Sequence, residues 1–305
     1  MSGHRPRVSI GLPVYNGERY LSRAFECLLG QTFRDIELIV SDNASTDATA
    51  ELCRAYAAKD PRVIYTRNDT NNGIAANHNK TLAIARGDLF KWASHDDEYH
   101  ERFVEACVEG MDAAPPHVAL VYTQAQIIDE NGVAGALRSD AVASDDAAPH
   151  RRLIQFLRHA SLFNFYFGLM RTETLRRTAG LGLYPMSDNV LFAELAMLGE
   201  LREIPEPLLR LRVHGGRSLR AHVTAQARRE LFDPSLAGKR VLLSLQDRVQ
   251  LELVKAALHT PQRAADKAAC LAVVATFPPW SRLRNFVGLQ KERLLRPGRR
   301  PSPAG

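Results

Sequence analysis

The sequence predicts an α/β fold: a doubly wound, mostly parallel sheet with helices on both faces, followed by a helical C-terminal region. Three observations carry this. Short apolar, β-branched runs alternate with helix-length amphipathic segments through roughly the first 95 residues, the β-α-β-α-β-α-β pattern of a parallel sheet covered on both sides. Polar clusters follow directly on the strands, at Pro13-Val14-Tyr15-Asn16, Ser41-Asp42-Asn43 and His95-Asp96-Asp97. Ligands of such sheets bind at the carboxyl ends of the strands. From about His222 onward the pattern is helical only, divided by Pro234, Pro261 and the Pro278-Pro279 pair.

Each element has its own signal. Val8 to Val14 is a buried first strand ended by the Asn16-Gly17 turn. Tyr20, Leu21, Ala24, Phe25 and Leu28 repeat with helical period over Glu18 to Leu29. Ile36 to Val40 is a second strand, and the polar loop Ser41 to Asp47 caps a helix from about Ala48 to Ala58. A third strand, Arg62 to Thr66, leads to a helix from Gly73 to Ala85, which Gly87 closes. Leu89 to Ala93 is the fourth strand. Further on, a helix is predicted from Tyr99 to Met111, a strand from Val118 to Thr123 and a mobile loop from Gly132 to Pro149. A short helix from Arg151 to His159, an aromatic strand from Leu162 to Met170, a helix from Asn189 to Leu198 and a last strand from Pro207 to Val213 follow. The expected division is a nucleotide-binding and catalytic domain over residues 1–218 and a helical extension over 219–305.

Composition narrows the function classes. The formal net charge is +6, and the segment Ser281 to Gly305, with seven basic residues and one acid, accounts for all of it. The remainder is neutral overall, which argues against a nucleic-acid partner. Cys27, Cys53, Cys107 and Cys270 are widely spaced with no C-x-x-C pair, so zinc and dithiol chemistry are poor readings. Small apolar roles in a reducing compartment fit them better. No signal peptide is evident, and the longest apolar run, near Ala268 to Phe277, is far short of the ~20 residues that span a bilayer. The expected location is cytoplasmic, with peripheral contact to an inner membrane face through the basic tail. There Trp280, Leu283, Phe286, Val287 and Leu294 alternate with Arg282, Arg284, Lys291 and Arg293. A solvated terminal helix has the same composition.

The chemistry centres on Ala93-Ser94-His95-Asp96-Asp97-Glu98. Three consecutive acids after a buried strand repel one another without a cation, and hard carboxylate oxygens suit Mg²⁺ or Mn²⁺. The alternative is a solvated turn opening the next helix.

At this point the chain resembles the family 2 glycosyltransferases, which have the GT-A fold. Val8 to Gly17 looks like the family's opening strand, and Ile39 to Asp47 like its second strand and nucleoside loop. Asn72-Gly73-Ile74-Ala75-Ala76-Asn77-His78-Asn79 looks like its third helix start, and Asp96-Asp97 like its metal motif. The likeness covers roughly residues 7–216. It departs at Ser94, where the motif has an acid, and at His78-Asn79, where many relatives carry Arg-Asn. Processive synthases of the family carry Gln-x-x-Arg-Trp. Here Gln155-Phe156-Leu157-Arg158-His159 lacks the Trp, so a single-addition transferase is expected.

The resemblance implies an inverting transfer of a sugar from a UDP- or dTDP-sugar to a hydroxyl of a carbohydrate or lipid-linked acceptor, in bacterial surface polysaccharide or glycolipid synthesis. Asp97 is the expected metal contact, with Asp96 at the ribose or the metal's waters. Asp42 accepts from a uracil or thymine ring N–H, Tyr15 stacks on the base, Pro13 and Asn72 are further nucleotide-site candidates, and Pro13 with Asn16 shapes the turn after the first strand. Asp188, at a helix start where a capping residue also belongs, matches the family's catalytic base. His214, after the last strand, is a metal or phosphate candidate, and Arg217 and Ser218 are weaker phosphate candidates. Two rival readings are a sugar-nucleotide-binding module without catalysis, supported by Ser94 and His78, and a nucleotidyltransferase. The latter usually needs a Gly- and Arg/Lys-rich phosphate loop, which Pro13-Val14-Tyr15-Asn16-Gly17 is not.

Overall fold

The structure, a computed structural model, describes residues 4–160, 164–215, 224–239 and 243–276. Its first half is the predicted alternation: β1 (Val8–Val14), α1 (Glu18–Leu29), β2 (Ile36–Asp42), α2 (Thr49–Lys59), β3 (Val63–Arg67), α3 (Ile74–Ile84) and β4 (Leu89–Trp92). Then come β5 (Glu98–Tyr99), α4 (Phe103–Asp112), β6 (Val118–Ile128), β7 (Ala134–Arg138), α5 (Pro149–His159), β8 (Leu169–Arg171), α6 (Thr172–Arg176), α7 (Ser187–Leu198) and β9 (Glu200–Arg212). Helices Ala225–Phe232, Leu245–His259 and Ala264–Thr276 complete the described chain.

The strands form one mixed sheet in the order β3-β2-β1-β4-β8-β6-β9-β5, with β7 added to β6. β1 runs parallel to both β2 and β4, with Val14 opposite Asp42 and Gly11 opposite Trp92. These registers bring the three polar clusters to one edge. β1 and β2 are buried along their whole length, as continuous apolar runs in a doubly covered sheet should be.

Several expectations are corrected. Glu98–Tyr99 is not the start of a helix. It pairs antiparallel with β9, Glu98 opposite Arg210, and the helix begins at Phe103. The predicted mobile loop contains β7, which pairs with β6. The aromatic strand shrinks to Leu169–Arg171, because Asn164–Phe167 forms a 3₁₀ turn that buries Phe165 and Tyr166. An apolar run does not by periodicity distinguish a strand from a buried turn. The last strand begins at Glu200, seven residues early. Its register against β6 jumps from Ile204 to Leu209, and Pro205 and Pro207 fall inside that bulge, where no ladder N–H is needed.

The C-terminal helices do not stand apart. Phe232, Val249, Leu253, Ala256, Ala257, Cys270 and Val274 belong to the same apolar core as Trp92, Phe165 and Phe192. Of the four cysteines, Cys53, Cys107 and Cys270 are buried, Cys27 is half-buried and all are free thiols. Among the described residues no helix is long and apolar enough to cross a membrane. The basic tail, Arg217, Ser218 and Leu162 lie outside the described residues.

Candidate functional site

The site is assembled from the loops at the carboxyl edge of β1, β2, β4 and β9. After β1, Tyr15 is 42 % exposed, so it is not a core residue. Pro13 lies buried inside β1, opposite Ser41, and serves the turn rather than the surface. The turn is locked to the loop after β2: Asn16 N–H donates to Ser45 Oγ (2.9 Å), Gly17 N–H to Thr49 Oγ1 (2.8 Å) and Thr46 N–H to Asn16 Oδ1 (2.8 Å). Gly17 is required by close approach, since a Cβ there would lie 2.8 Å from the His95 ring.

Asp42 ends β2 and is fully buried. Its carboxylate accepts from Ser45 N–H (2.8 Å), Tyr65 Oη–H (3.0 Å) and the Arg67 guanidinium. Arg67 and Tyr65, both on β3, were not foreseen. A carboxylate offers about four lone-pair sites, so three donors still leave room for a further one. Behind it lies a buried amide cluster. Ser41 Oγ–H donates to Asn77 Oδ1 (2.7 Å), Asn77 Nδ2 to Ser41 O (2.8 Å), and Asn68 Nδ2 to Asn43 Oδ1 (2.9 Å). Asn72 is exposed, and its N–H donates to Asn43 Oδ1 (3.0 Å), which joins the start of α3 to the loop after β2.

Beyond β4, Asp96 and Asp97 are 6 % and 1 % exposed, which rules out a solvated acidic turn. Ser94, which stands where the family motif has an acid, donates its hydroxyl to Asp96 Oδ1. The other Asp96 oxygen meets His214 Nε2 at 2.9 Å, so the histidine after β9 reaches Asp96 in particular. Asp97 Oδ1 accepts from Arg212 N–H (2.8 Å). The Arg212 side chain donates to Asp96 O (2.8 Å), Asp129 O (3.1 Å), Glu130 O (3.2 Å) and Glu98 Oε1 (2.5 Å). Glu98 also accepts from Arg210 (2.6 Å). Positive charge from β9 therefore offsets part of the acidic run. Below it, Lys91 is fully buried with its ammonium 4.0 Å from the Tyr99 ring centroid. Burial pushes Lys91 down to about 7, with the charge of Asp97 acting in the opposite sense.

Two buried carboxylates and an imidazole are a donor set that suits Mg²⁺ or Mn²⁺. Among the described residues no three His, Cys, Asp or Glu groups are placed to hold a metal by themselves. Mg²⁺ is commonly held by one or two carboxylates together with substrate phosphates and water. The residues fit such an open site. A histidine nitrogen ligates a metal only in its unprotonated form, so His214 Nε2 would turn its lone pair from Asp96 to the ion.

Asp188 is the second residue of α7, not its cap. The N-cap is Met186, held left-handed at φ +70°. Such a conformation in a non-glycine residue costs of order 1–3 kcal/mol and persists where the surroundings enforce it. Asp188 Oδ1 accepts from Asn189 N–H (3.0 Å). Burial raises its carboxyl to about 6, with hydrogen bonds from Asn189 opposing. Together with burial, its charge helps hold the Tyr166 phenol above the ordinary value, and Tyr166 stacks on Trp92 of β4, ring centroids 5.4 Å apart.

Comparison with known proteins agrees with this architecture. The family profile described as Glycosyl transferase family 2 matches residues 9–176. EpsE of Bacillus subtilis (strain 168) is 36% identical over 132 residues, 43% of this chain and 47% of EpsE. The glycosyltransferase GlyG of Streptococcus pneumoniae serotype 4 is 33% identical over 98 residues, 32% of this chain and 33% of GlyG. The matches thus span at most about half the length of these curated relatives. Among solved structures, residues 1–349 of S. aureus TarS in complex with UDP-GlcNAc superpose with a TM-score of 0.60 at 17% identity, covering 88% of this chain and 71% of that one. The mannosyltransferase PcManGT of Pyrobaculum calidifontis, in complex with GDP-Man and Mn²⁺, gives 0.51 at 19% identity, covering 95% of this chain and 81% of that one. At such identities the likeness is one of fold, here that of GT-A glycosyltransferases.

Proposed function

The chain belongs to glycosyl transferase family 2, and from that premise we propose that it moves a sugar, with inversion, from a UDP- or dTDP-sugar to a hydroxyl of a carbohydrate or lipid-linked acceptor, in bacterial surface polysaccharide or glycolipid synthesis. The observation that carries the reading is the pair of buried carboxylates Asp96 and Asp97, with His214 against Asp96 and Arg212 N–H against Asp97, at the same sheet edge as Tyr15 and Asp42. TarS and PcManGT hold nucleotide-sugars on the same fold, which supports a donor of that class.

Transfer breaks the bond from the anomeric carbon to the diphosphate oxygen and forms one to the acceptor oxygen. Negative charge grows on the leaving diphosphate, and the acceptor hydroxyl must lose its proton. Asp97 and His214 would hold Mg²⁺ or Mn²⁺, with Asp96 at the ribose or the metal's waters, and the ion would supply charge neutralisation for the diphosphate. Tyr15 stacks on the base and Asp42 accepts its ring N–H, which fixes the donor's far end. Asp188 takes the acceptor proton. Its raised pKa suits that task, because a base poised near neutral pH combines availability with proton affinity.

Thermal-shift screening against a panel of nucleotide-sugars with Mn²⁺ tests the reading, since a ligand that binds the native state raises apparent stability. UDP- or dTDP-sugars are expected to shift the melt, and a panel without effect would contradict it. The basic tail, with its interleaved aromatic and aliphatic residues, supports a peripheral contact with an anionic membrane. Deleting residues after Pro279 should then weaken sedimentation with anionic liposomes, and equal sedimentation would count against it.

A further inference from the structure

We infer that His78 reads the transferred sugar: its Nε2 accepts a hydrogen bond from a sugar hydroxyl of the donor. This rests on the nucleotide-sugar reading above.

The imidazole is set by its own helix. Nδ1–H donates to Ile74 O at 2.8 Å, one turn back on α3. The neutral ring then has its lone pair on Nε2. Burial lowers its pKa to about 4, so the ring is uncharged at neutral pH. An uncharged ring cannot offset a diphosphate, which an arginine at this position would do. It remains a good acceptor for a hydroxyl hydrogen.

Its place in the fold gives it that partner. The ring lies 6.2 Å from that of Trp92 and meets that of Tyr166 edge-on at 6.0 Å. Trp92 closes β4, four residues before Asp96, and its indole N–H donates to His78 O (3.3 Å). Tyr166 is the ring on which the charge of Asp188 acts. The next residue, Asn79, is bonded twice to Leu181, through Asn79 Nδ2 to Leu181 O (2.7 Å) and Leu181 N–H to Asn79 Oδ1 (3.0 Å). Leu181 belongs to the loop that leads to Asp188. His78 therefore stands between the elements that carry the acid pair and the one that carries the base. The transferred sugar has to lie between those groups, because its anomeric carbon passes from the diphosphate oxygen to the acceptor oxygen. Trp92 and Tyr166 fix the ring, so the hydrogen bond it offers is directional.

Calorimetric titration of the full chain in Mn²⁺ with UDP, dTDP, UDP-glucose, UDP-GlcNAc and dTDP-rhamnose measures what each sugar adds to the affinity of its nucleotide. His78→Phe keeps a ring against Trp92 and Tyr166 but has no nitrogen. In it, the gain from the best sugar is expected to fall about 5- to 30-fold, the effect of leaving one hydroxyl unpaired, with nucleotide affinity unchanged. His78→Gln retains an amide acceptor and should recover part of the gain. The assignment is overturned by an undiminished gain in His78→Phe, by equal weakening of nucleotide and nucleotide-sugar, by a wild-type chain that gains nothing from any sugar, or by loss of cooperative melting in both variants. A wild-type chain that binds none of the five compounds overturns the nucleotide-sugar reading itself.

Discussion

Asp96 and His214 meet at 2.9 Å across 118 residues of sequence, the carboxylate from the loop after β4 and the imidazole from the residues after β9. The contact depends on Arg212, which precedes the histidine by two positions and bonds the backbone of Asp96 and the side chains of Asp97 and Glu98. The end of β9 thus frames the acidic loop from below, and the strand's long run from Glu200 delivers it there.

Arg212→Ala should be strongly destabilising. It leaves Glu98 without one of its buried partners and strips donors from three carbonyls. Removing one member of a buried ion pair costs about 3–5 kcal/mol. Arg212→Lys keeps the charge but not the fork of donors, so it should recover only part of the loss. Urea denaturation measures both, and a variant within about 0.5 kcal/mol of wild type, the range of ordinary surface changes, would remove Arg212 from this role.

Asp188 should leave two signatures in pH. Its folded-state pKa of about 6 lies above the ordinary carboxyl value. Transfer should rise with pH through about 6 as the base loses its proton, then level off. Stability should move the other way. Between the ordinary carboxyl range and about 6 the folded chain binds more protons than the unfolded one, so this group's contribution falls as pH rises through that window. Asp188→Asn abolishes that loss, and it should lower transfer by roughly 10²- to 10⁴-fold with little effect on donor binding. Transfer by Asp188→Asn close to the wild-type rate would place the base elsewhere.

Asp42 should confer preference for uracil or thymine over cytosine. Its carboxylate is held by Ser45, Tyr65 and Arg67 as an acceptor, and cytosine has no ring N–H to give it. UDP or dTDP should therefore bind about tenfold or more tightly than CDP. Competition by CDP at equal concentration would leave Asp42 with a purely structural task, the bracing of β3 through Arg67.

The first half of the fold was legible because its strands are unbroken apolar runs and its turns carry their own residues, as at Asn16-Gly17 and Ser41 to Asp47. The same runs put Asp42, Asp96 and Asp97 at one edge of the sheet, where the parallel registers of β1 with β2 and β4 hold them. What escaped was long-range. The strand predicted from Pro207 to Val213 names no partner for its arginines, and both Arg210 and Arg212 turn to Glu98, more than 100 residues earlier in sequence. β7 follows Gly132 and is built from Ala and Gly, residues depleted in strands, so it exists through pairing with β6. The sequence puts Asp188 at a helix start where a cap belongs, but the left-handed Met186 takes the capping position and Asp188 is the second residue of α7. The partnership of Asp42 with Arg67 depends on the parallel register of β2 and β3, in which the two residues are opposite each other.

The most direct test of the account is calorimetric titration of UDP and dTDP into the wild type and Asp97→Ala, each in Mn²⁺ and in EDTA. If the buried carboxylates hold a cation that receives the diphosphate, Mn²⁺ should tighten binding to the wild type and make no difference to Asp97→Ala. Equal affinity in Mn²⁺ and EDTA for the wild type would contradict the account at its centre.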